Sequence, residues 1–160
     1  GSLDSLKIQV EYVARQLGGC TVVRKGAGDI ISDGTTTLIC TETGSVRRCG
    51  GQGDVLSGSI STWLNWCLAR QREEGKVAPV GGPTLAAYAG CVITRRCSAA
   101  AFRKHGRAMT APDLLSEIAS VMENLVPAVG NGLNPDGSLQ GGWEPFAAHR
   151  VLEEPDVPRL

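Results

Sequence analysis

The chain is predicted to fold as an α/β domain in which short strands and a hairpin are followed by three helices. Three observations carry that prediction. A β-branched run at 20–25 and two apolar runs flanking Asp33-Gly34 give strand and hairpin signals. Three later stretches, opening near Val55, Pro83 and Thr110, place apolar residues at helical spacing. Between the two blocks lies a glycine corner, Arg47-Arg48-Cys49-Gly50-Gly51-Gln52-Gly53-Asp54.

Each element has its own warrant. Leu3, Leu6, Val10, Val13, Ala14 and Leu17 share one face of an amphipathic helix, which Gly18-Gly19 ends. Cys20 to Lys25 fits a short buried strand. Ile30-Ile31-Ser32 and Thr35 to Thr41 read as a hairpin about a two-residue turn at Asp33-Gly34, which accepts positive φ. Lys25-Gly26-Ala27-Gly28-Asp29, between strand and hairpin, is a plain turn or a loop beside a nucleotide. Its Gly-x-Gly has Ile31 where a dinucleotide fingerprint needs a third glycine, and it lacks the Gly-Lys-Ser/Thr of a Walker A loop.

Beyond Asp54, Leu56, Ile60, Trp63, Leu64 and Cys67 form the core stripe of a helix running to about Arg70. Trp63 and Trp66 read as packing residues, with base stacking as the alternative. Gln71 to Pro83 mixes charge, glycine and proline and is expected to be an exposed loop. Pro83 opens a helix to about His105; Leu85 to Ile93 is apolar nearly all round, and Arg95, Arg96, Arg103 and Lys104 are expected to turn to solvent near its negative end. Thr110, Pro112 and Asp113 cap a last helix with Leu114, Ile118, Met122 and Leu125 on one face. Residues 1–126 thus form the structured part, and 127–160, without sustained periodicity, an irregular tail.

Composition excludes several classes. A chain of 160 residues buries roughly two thirds of its unfolded surface, enough for one independent core. Sixteen basic residues balance 16 acidic ones, so there is no electrostatic footprint for nucleic acid. No apolar run reaches the ~18 residues of a membrane helix. The six cysteines include no C-x-x-C pair and the two histidines are far apart, which argues against zinc. Most of the cysteines sit in apolar runs, as reduced thiols do in a reducing compartment, the cytosol or an organelle matrix.

The glycine corner suits an anion. Glycines let successive backbone N–H groups turn inward, and the helix that follows adds its unpaired first-turn donors and the positive end of its dipole. Asp54 would stand close to a phosphate bound there and accept a proton from an attacking hydroxyl; the alternative is a first-turn carboxylate that only complements the dipole. Cys49 has a nucleophilic alternative, for which no nearby histidine supplies a base.

Three stretches together are similar to a known family. Val22-Val23-Arg24-Lys25-Gly26-Ala27-Gly28-Asp29, Cys49-Gly50-Gly51-Gln52-Gly53-Asp54-Val55-Leu56-Ser57-Gly58-Ser59, and Cys97 to Arg107 with Thr110 and Asp113 resemble the eukaryotic ATP-dependent (S)-NAD(P)H-hydrate dehydratases. These are ribokinase-like enzymes. The resemblance covers about residues 3 to 126 and implies the C-terminal part of a three-layer ribokinase-like fold. It implies a lyase that uses ATP and magnesium to phosphorylate the ring hydroxyl of hydrated NADH or NADPH and then expel phosphate. Asp54 would be the base and touch the substrate, and the amides of Gly51, Gln52 and Gly53 would be the anion hole. Lys25, Gly26, Ala27, Gly28 and Asp29, with Gly44, Ser45, Val46, Arg47, Arg48, Cys49, Gly50, Gly51, Gln52 and Gly53, would contact ATP; Arg47 and Arg48 have a solvated-surface alternative. No protein metal ligand is implied by these residues. The family also implies functional pairing with an NAD(P)H-hydrate epimerase and a cytoplasmic or mitochondrial location. Its members are about twice as long and carry an Asn-x-x-Glu-type motif that does not occur before Gly50 here, so an incomplete sheet, a free edge and a homo-oligomer are expected. The alternatives are a ribokinase-like small-molecule kinase and an inactive nucleotide-binding fragment.

Overall fold

The computed structural model describes residues 2–74 and 81–125; the tail expected at 127–160 lies outside them. The chain divides into two compact units, Gly1–Val121 and Met122–Leu160. In the first, helix α1 (Leu3–Gln16) precedes strands β1 (Val22–Arg24), β2 (Asp29–Ser32) and β3 (Thr37–Cys40), and then helices α2 (Gln52–Glu74) and α3 (Gly82–His105). A 3-10 turn (Gly106–Ala108) leads to α4 (Ala111–Ser116) and to α5 (Ile118–Leu125), which runs across the division. The strands form an antiparallel sheet in the order β1-β2-β3, with Val23 opposite Ile31 and Ile31 opposite Leu38.

Helices cover both faces of that sheet, so β2 is buried at all four positions. Because strand side chains alternate, Asp29 and Ile31 share one face with Leu38 and Cys40 opposite them, while Ile30 and Ser32 share the other with Thr37 and Ile39. Contacts name the covering helices. Asp29 bonds Arg95 of α3, whereas Ser32 bonds Thr37, which in turn donates to Glu11 of α1 at 2.7 Å. Ile30 and Ile31 are both fully shielded, one under each helix. The result is a layered α/β arrangement: α1, the sheet, and α3 with α2 packed along it.

α1 is capped by Ser2, Ser5 N donating to its Oγ at 3.3 Å, and it ends at Gly18-Gly19 as expected, Gly19 N closing on Ala14 O at 2.9 Å as the chain leaves the helix. The hairpin turn sits one residue later than the Asp-Gly signal suggests. Asp33 Oδ1 accepts from the amides of Thr35 (2.9 Å) and Thr36 (2.7 Å), which makes Asp33 the first corner of the turn and Gly34, at φ 90°, a central residue. These amide bonds, with one from the Thr84 hydroxyl, outweigh partial burial and hold the Asp33 carboxyl below its ordinary range.

Three expectations are corrected. α2 is longer than the periodic stripe at both ends. Gly51 O accepts from the amides of both Asp54 and Val55, so the helix already wraps Gln52, Gly53 and Asp54, and at the other end it runs to Glu74, because Gln and Arg residues read as loop are good helix formers on a solvated face. The last helix is two, interrupted at Glu117, whose buried carboxylate takes the Lys104 ammonium at 2.6 Å. Neither Arg95 nor Arg96 is a plain solvated residue, whereas Lys104 is exposed as expected while it reaches Glu117: Arg96 grips Glu42 through Nε (2.9 Å) and Nη2 (2.7 Å). Trp63 is 2% exposed and Trp66 43%, in edge-to-face contact with ring centroids 5.2 Å apart.

Two glycines in helices give opposite expectations. A Cβ on Gly90 of α3 would lie 3.0 Å from the backbone nitrogen and 3.2 Å from the Cα of Ile60 in α2, atoms that cannot turn aside. Nothing lies within 4 Å of the same position at Gly58. Gly90→Ala should therefore cost about 1–3 kcal/mol by forcing the helices apart, and Gly58→Ala should stabilise by up to about 1 kcal/mol; urea unfolding of both variants measures it.

Burial pushes the thiols of Cys40 and Cys97 up from an ordinary 9.0 to about 11, and Cys91 further. Folded chain thus holds these protons more tightly than unfolded chain does. Their contribution is full below pH 9 and is lost as pH rises through about 11. Unfolding at pH 7, 9 and 10.5 should show a stability that declines only in the alkaline steps, less steeply in Cys40→Ala, while a thiol reagent at neutral pH reaches exposed Cys20 and leaves Cys40, Cys91 and Cys97 intact.

Candidate functional site

A cleft of about 760 Å³ opens among the loop between β1 and β2, the segment after β3, and the first turn of α2, with Cys91, Thr94, Arg95 and Ser98 of α3 on its wall. Of the residues singled out in the sequence, it brings together Lys25, Gly26, Ala27, Asp29, Gly44, Ser45, Val46, Arg48, Cys49, Gln52 and Gly53. Gly28, Arg47, Gly50, Gly51 and Asp54 do not line it.

The opening of α2 presents donors. Gly51 takes φ 85°, and a Cβ there would come within 2.8 Å of the Ala111 side chain, so only glycine fits the corner. Asp54 N is engaged by Gly51 O at 3.1 Å. Among the described residues, the amides of Gly51, Gln52 and Gly53 have no backbone or side-chain acceptor, as the first turn of a helix requires unless a ligand or water supplies one. Lys25 reaches the same place: a Cβ on Gly53 would stand 4.0 Å from its Nζ. An ammonium beside a helix's positive end is unfavourable unless an anion lies between.

Asp54 stands on that turn, exposed, next to the two residues that line the cleft. Among the described residues nothing bonds its carboxylate. A carboxylate placed so is open to solvent and to a ligand arriving beside the donors.

The opposite wall is organised by a residue the sequence reading sent to solvent. Arg95 Nε donates to Asp29 Oδ2 at 2.6 Å; Nη2 donates to Gly26 O (2.8 Å), and Nη1 to Ala27 O (2.9 Å) and Glu42 O (3.1 Å). The hydrogen bond and charge of Asp29 raise the guanidinium above its ordinary range against the opposing effect of burial. The other Asp29 oxygen accepts Gly26 N at 3.0 Å. Asp29 is 6% exposed and its carboxylate is committed to Arg95 and the loop backbone. A periodicity signal was present: Cys91, Arg95 and Ser98 fall on one stripe of α3, and Cys91 and Ser98 are buried. Ser98 Oγ anchors the next segment by accepting Ser45 N at 3.1 Å.

Among the described residues no cluster of three His, Cys, Asp or Glu side chains could hold a metal ion. The cleft's two carboxylates, Asp29 and Glu42, are each paired with an arginine. No helix of the described residues is long and apolar enough to cross a membrane.

A family model described as NAD(P)H-hydrate dehydratase matches residues 3–120. The chain is 43% identical over 119 residues to the ATP-dependent (S)-NAD(P)H-hydrate dehydratase of Bos taurus, covering 72% of this chain and 35% of the bovine protein. It is 41% identical over 114 residues to the Homo sapiens protein of that name (71% of this chain, 32% of that one) and 45% identical over 123 residues to the Ciona intestinalis one (76% and 32%). The chain thus spans about a third of the length of the curated relatives it matches. A match across most of the chain, containing the loop, the glycine corner and both long helices, means that it belongs to the ribokinase-like NAD(P)H-hydrate dehydratase family.

Proposed function

We propose that this chain carries the nucleotide-binding part of an ATP-dependent lyase that returns hydrated NADH and NADPH to the working cofactors. One observation carries the reading: unpaired amides at Gly51, Gln52 and Gly53 and the Lys25 ammonium converge where a cleft of nucleotide size ends. Lys25 to Asp29 and Gly44 to Gly53 hold ATP. The three amides take up the charge of the phosphoryl group in transfer, and Asp54 removes the proton of the ring hydroxyl that attacks it. The bond to ADP breaks as the bond to the hydroxyl oxygen forms, and the phosphate ester then loses inorganic phosphate together with a proton from the adjacent ring carbon, given up to solvent, which restores the ring double bond.

These donors fit a polyphosphate because they are fixed before it arrives and no acceptor among the described residues competes for them. Magnesium, in this reading, comes with the triphosphate, since the cleft's own carboxylates are engaged. The names of the relatives support ATP and a hydrated nicotinamide nucleotide as substrates. A supplying epimerase and a cytoplasmic or mitochondrial site of action follow from the same reading.

The assay joins ATP and hydrated NADH to the protein and follows the near-ultraviolet absorbance of reduced nicotinamide. Asp54→Asn is expected to slow turnover by at least about 100-fold while leaving ATP affinity largely unchanged. Equal turnover in the variant rejects Asp54 as base. A stable phosphate ester in place of reduced nicotinamide identifies a kinase, and ATP binding without turnover in the unmutated chain identifies a binding module. Gly51→Ala, which strains the corner by roughly 1–3 kcal/mol, should lower both ATP affinity and turnover.

A further inference from the structure

Arg95 lies on the cleft wall yet spends its donors on the protein. Four hydrogen bonds, at 2.6, 2.8, 2.9 and 3.1 Å, run to Asp29 Oδ2, Gly26 O, Ala27 O and Glu42 O. All four acceptors belong to residues that line the cleft, and each carries negative charge or partial charge that a polyanion there would oppose. Turned onto a guanidinium, they are neutralised, and the loop from Lys25 to Asp29 is tied to the chain just after β3. Among the described residues the amide of Ala27, a residue of the cleft wall, has no acceptor, so the loop so held keeps a donor for a ligand while the carbonyls of Gly26 and Ala27 accept from Arg95. The same guanidinium leaves Lys25, at the loop's start, beside Gly53.

Resting on the nucleotide reading above, we infer that Arg95 is the positioning residue of the nucleotide site: through Asp29 and the carbonyls of Gly26, Ala27 and Glu42 it holds the phosphate-facing loop in its binding conformation before ATP arrives. The fork geometry is what matters. A lysine keeps the charge but cannot bridge four acceptors in one plane. When the binding-competent conformer is only a fraction of the population, apparent affinity falls by that fraction.

The experiment measures ATP affinity by calorimetry, with unfolding temperature and amide exchange, for the whole chain carrying Arg95→Lys, Asp29→Asn or both. Each single variant is expected to weaken ATP binding by about tenfold or more at a temperature where it is fully folded, with faster exchange at Gly26, whose amide donates to Asp29 Oδ1. The double variant should be no weaker than the worse single, because both break one device. A residue that merely stabilises would lower the unfolding temperature and leave ATP affinity unchanged; that result, or losses that multiply, overturns the inference. Should Arg95→Lys fail to fold, Asp29→Asn alone decides by the same criterion. Failure of the unmutated chain to bind ATP rejects the nucleotide reading itself and takes this inference with it, an outcome distinct from tight binding by every variant.

Discussion

The ion pair between Arg95 and Asp29 joins the two sides of the molecule, one partner on α3 and the other at the first position of β2. Its side chains are 16% and 9% exposed, so each charge has left most of its water behind. A lone charge in that setting costs several kcal/mol, whereas a pair with its remaining hydrogen-bonding capacity filled is tolerated. Here the carbonyls of Gly26, Ala27 and Glu42 take three more of the guanidinium's five N–H donors, and Gly26 N donates to the carboxylate. The pair therefore adds less to net stability than its short distance suggests. What it supplies is uniqueness, since a loop of glycines has many conformations of similar energy and only one satisfies all five bonds.

The facing wall follows the contrary rule. Around Gly51, Gln52 and Gly53 donors are left open, and Lys25 is brought toward a helix end of its own sign. Proteins accept such local disagreement where a ligand will resolve it. A satisfied wall and an unsatisfied one, meeting at one cleft, separate the duties of shape and of reactivity: the first resists change and the second waits for charge.

Much of the fold was legible because local chemistry and the final structure agree. Gly18-Gly19 ends α1, the strands pair as a hairpin, and Thr110 N donates to Asp113 Oδ2 at 2.8 Å where the capping pattern stands. The glycine corner was legible for the same reason, since a positive φ at Gly51 is a property of that residue alone. Arg95 was not, because charge at a helix end is commonly solvated and nothing in its own neighbourhood names Asp29, 66 positions earlier. The Cys91–Arg95–Ser98 stripe could have pointed to it, had periodicity been weighed above charge. The break at Glu117 was hidden similarly: its partner Lys104 lies in a different helix, and only the packed structure shows that the carboxylate is interior.

The close approach of α2 and α3 at Ile60 and Gly90 fixes more than a helix crossing. One helix carries the open amides and the other carries Arg95, so the absent methyl at position 90 works as a spacer of zero thickness that sets how far the reactive turn stands from the anchored loop. Selection for a roomier or tighter cavity would thus have a handle remote from any ligand, acting on gauge instead of on chemistry.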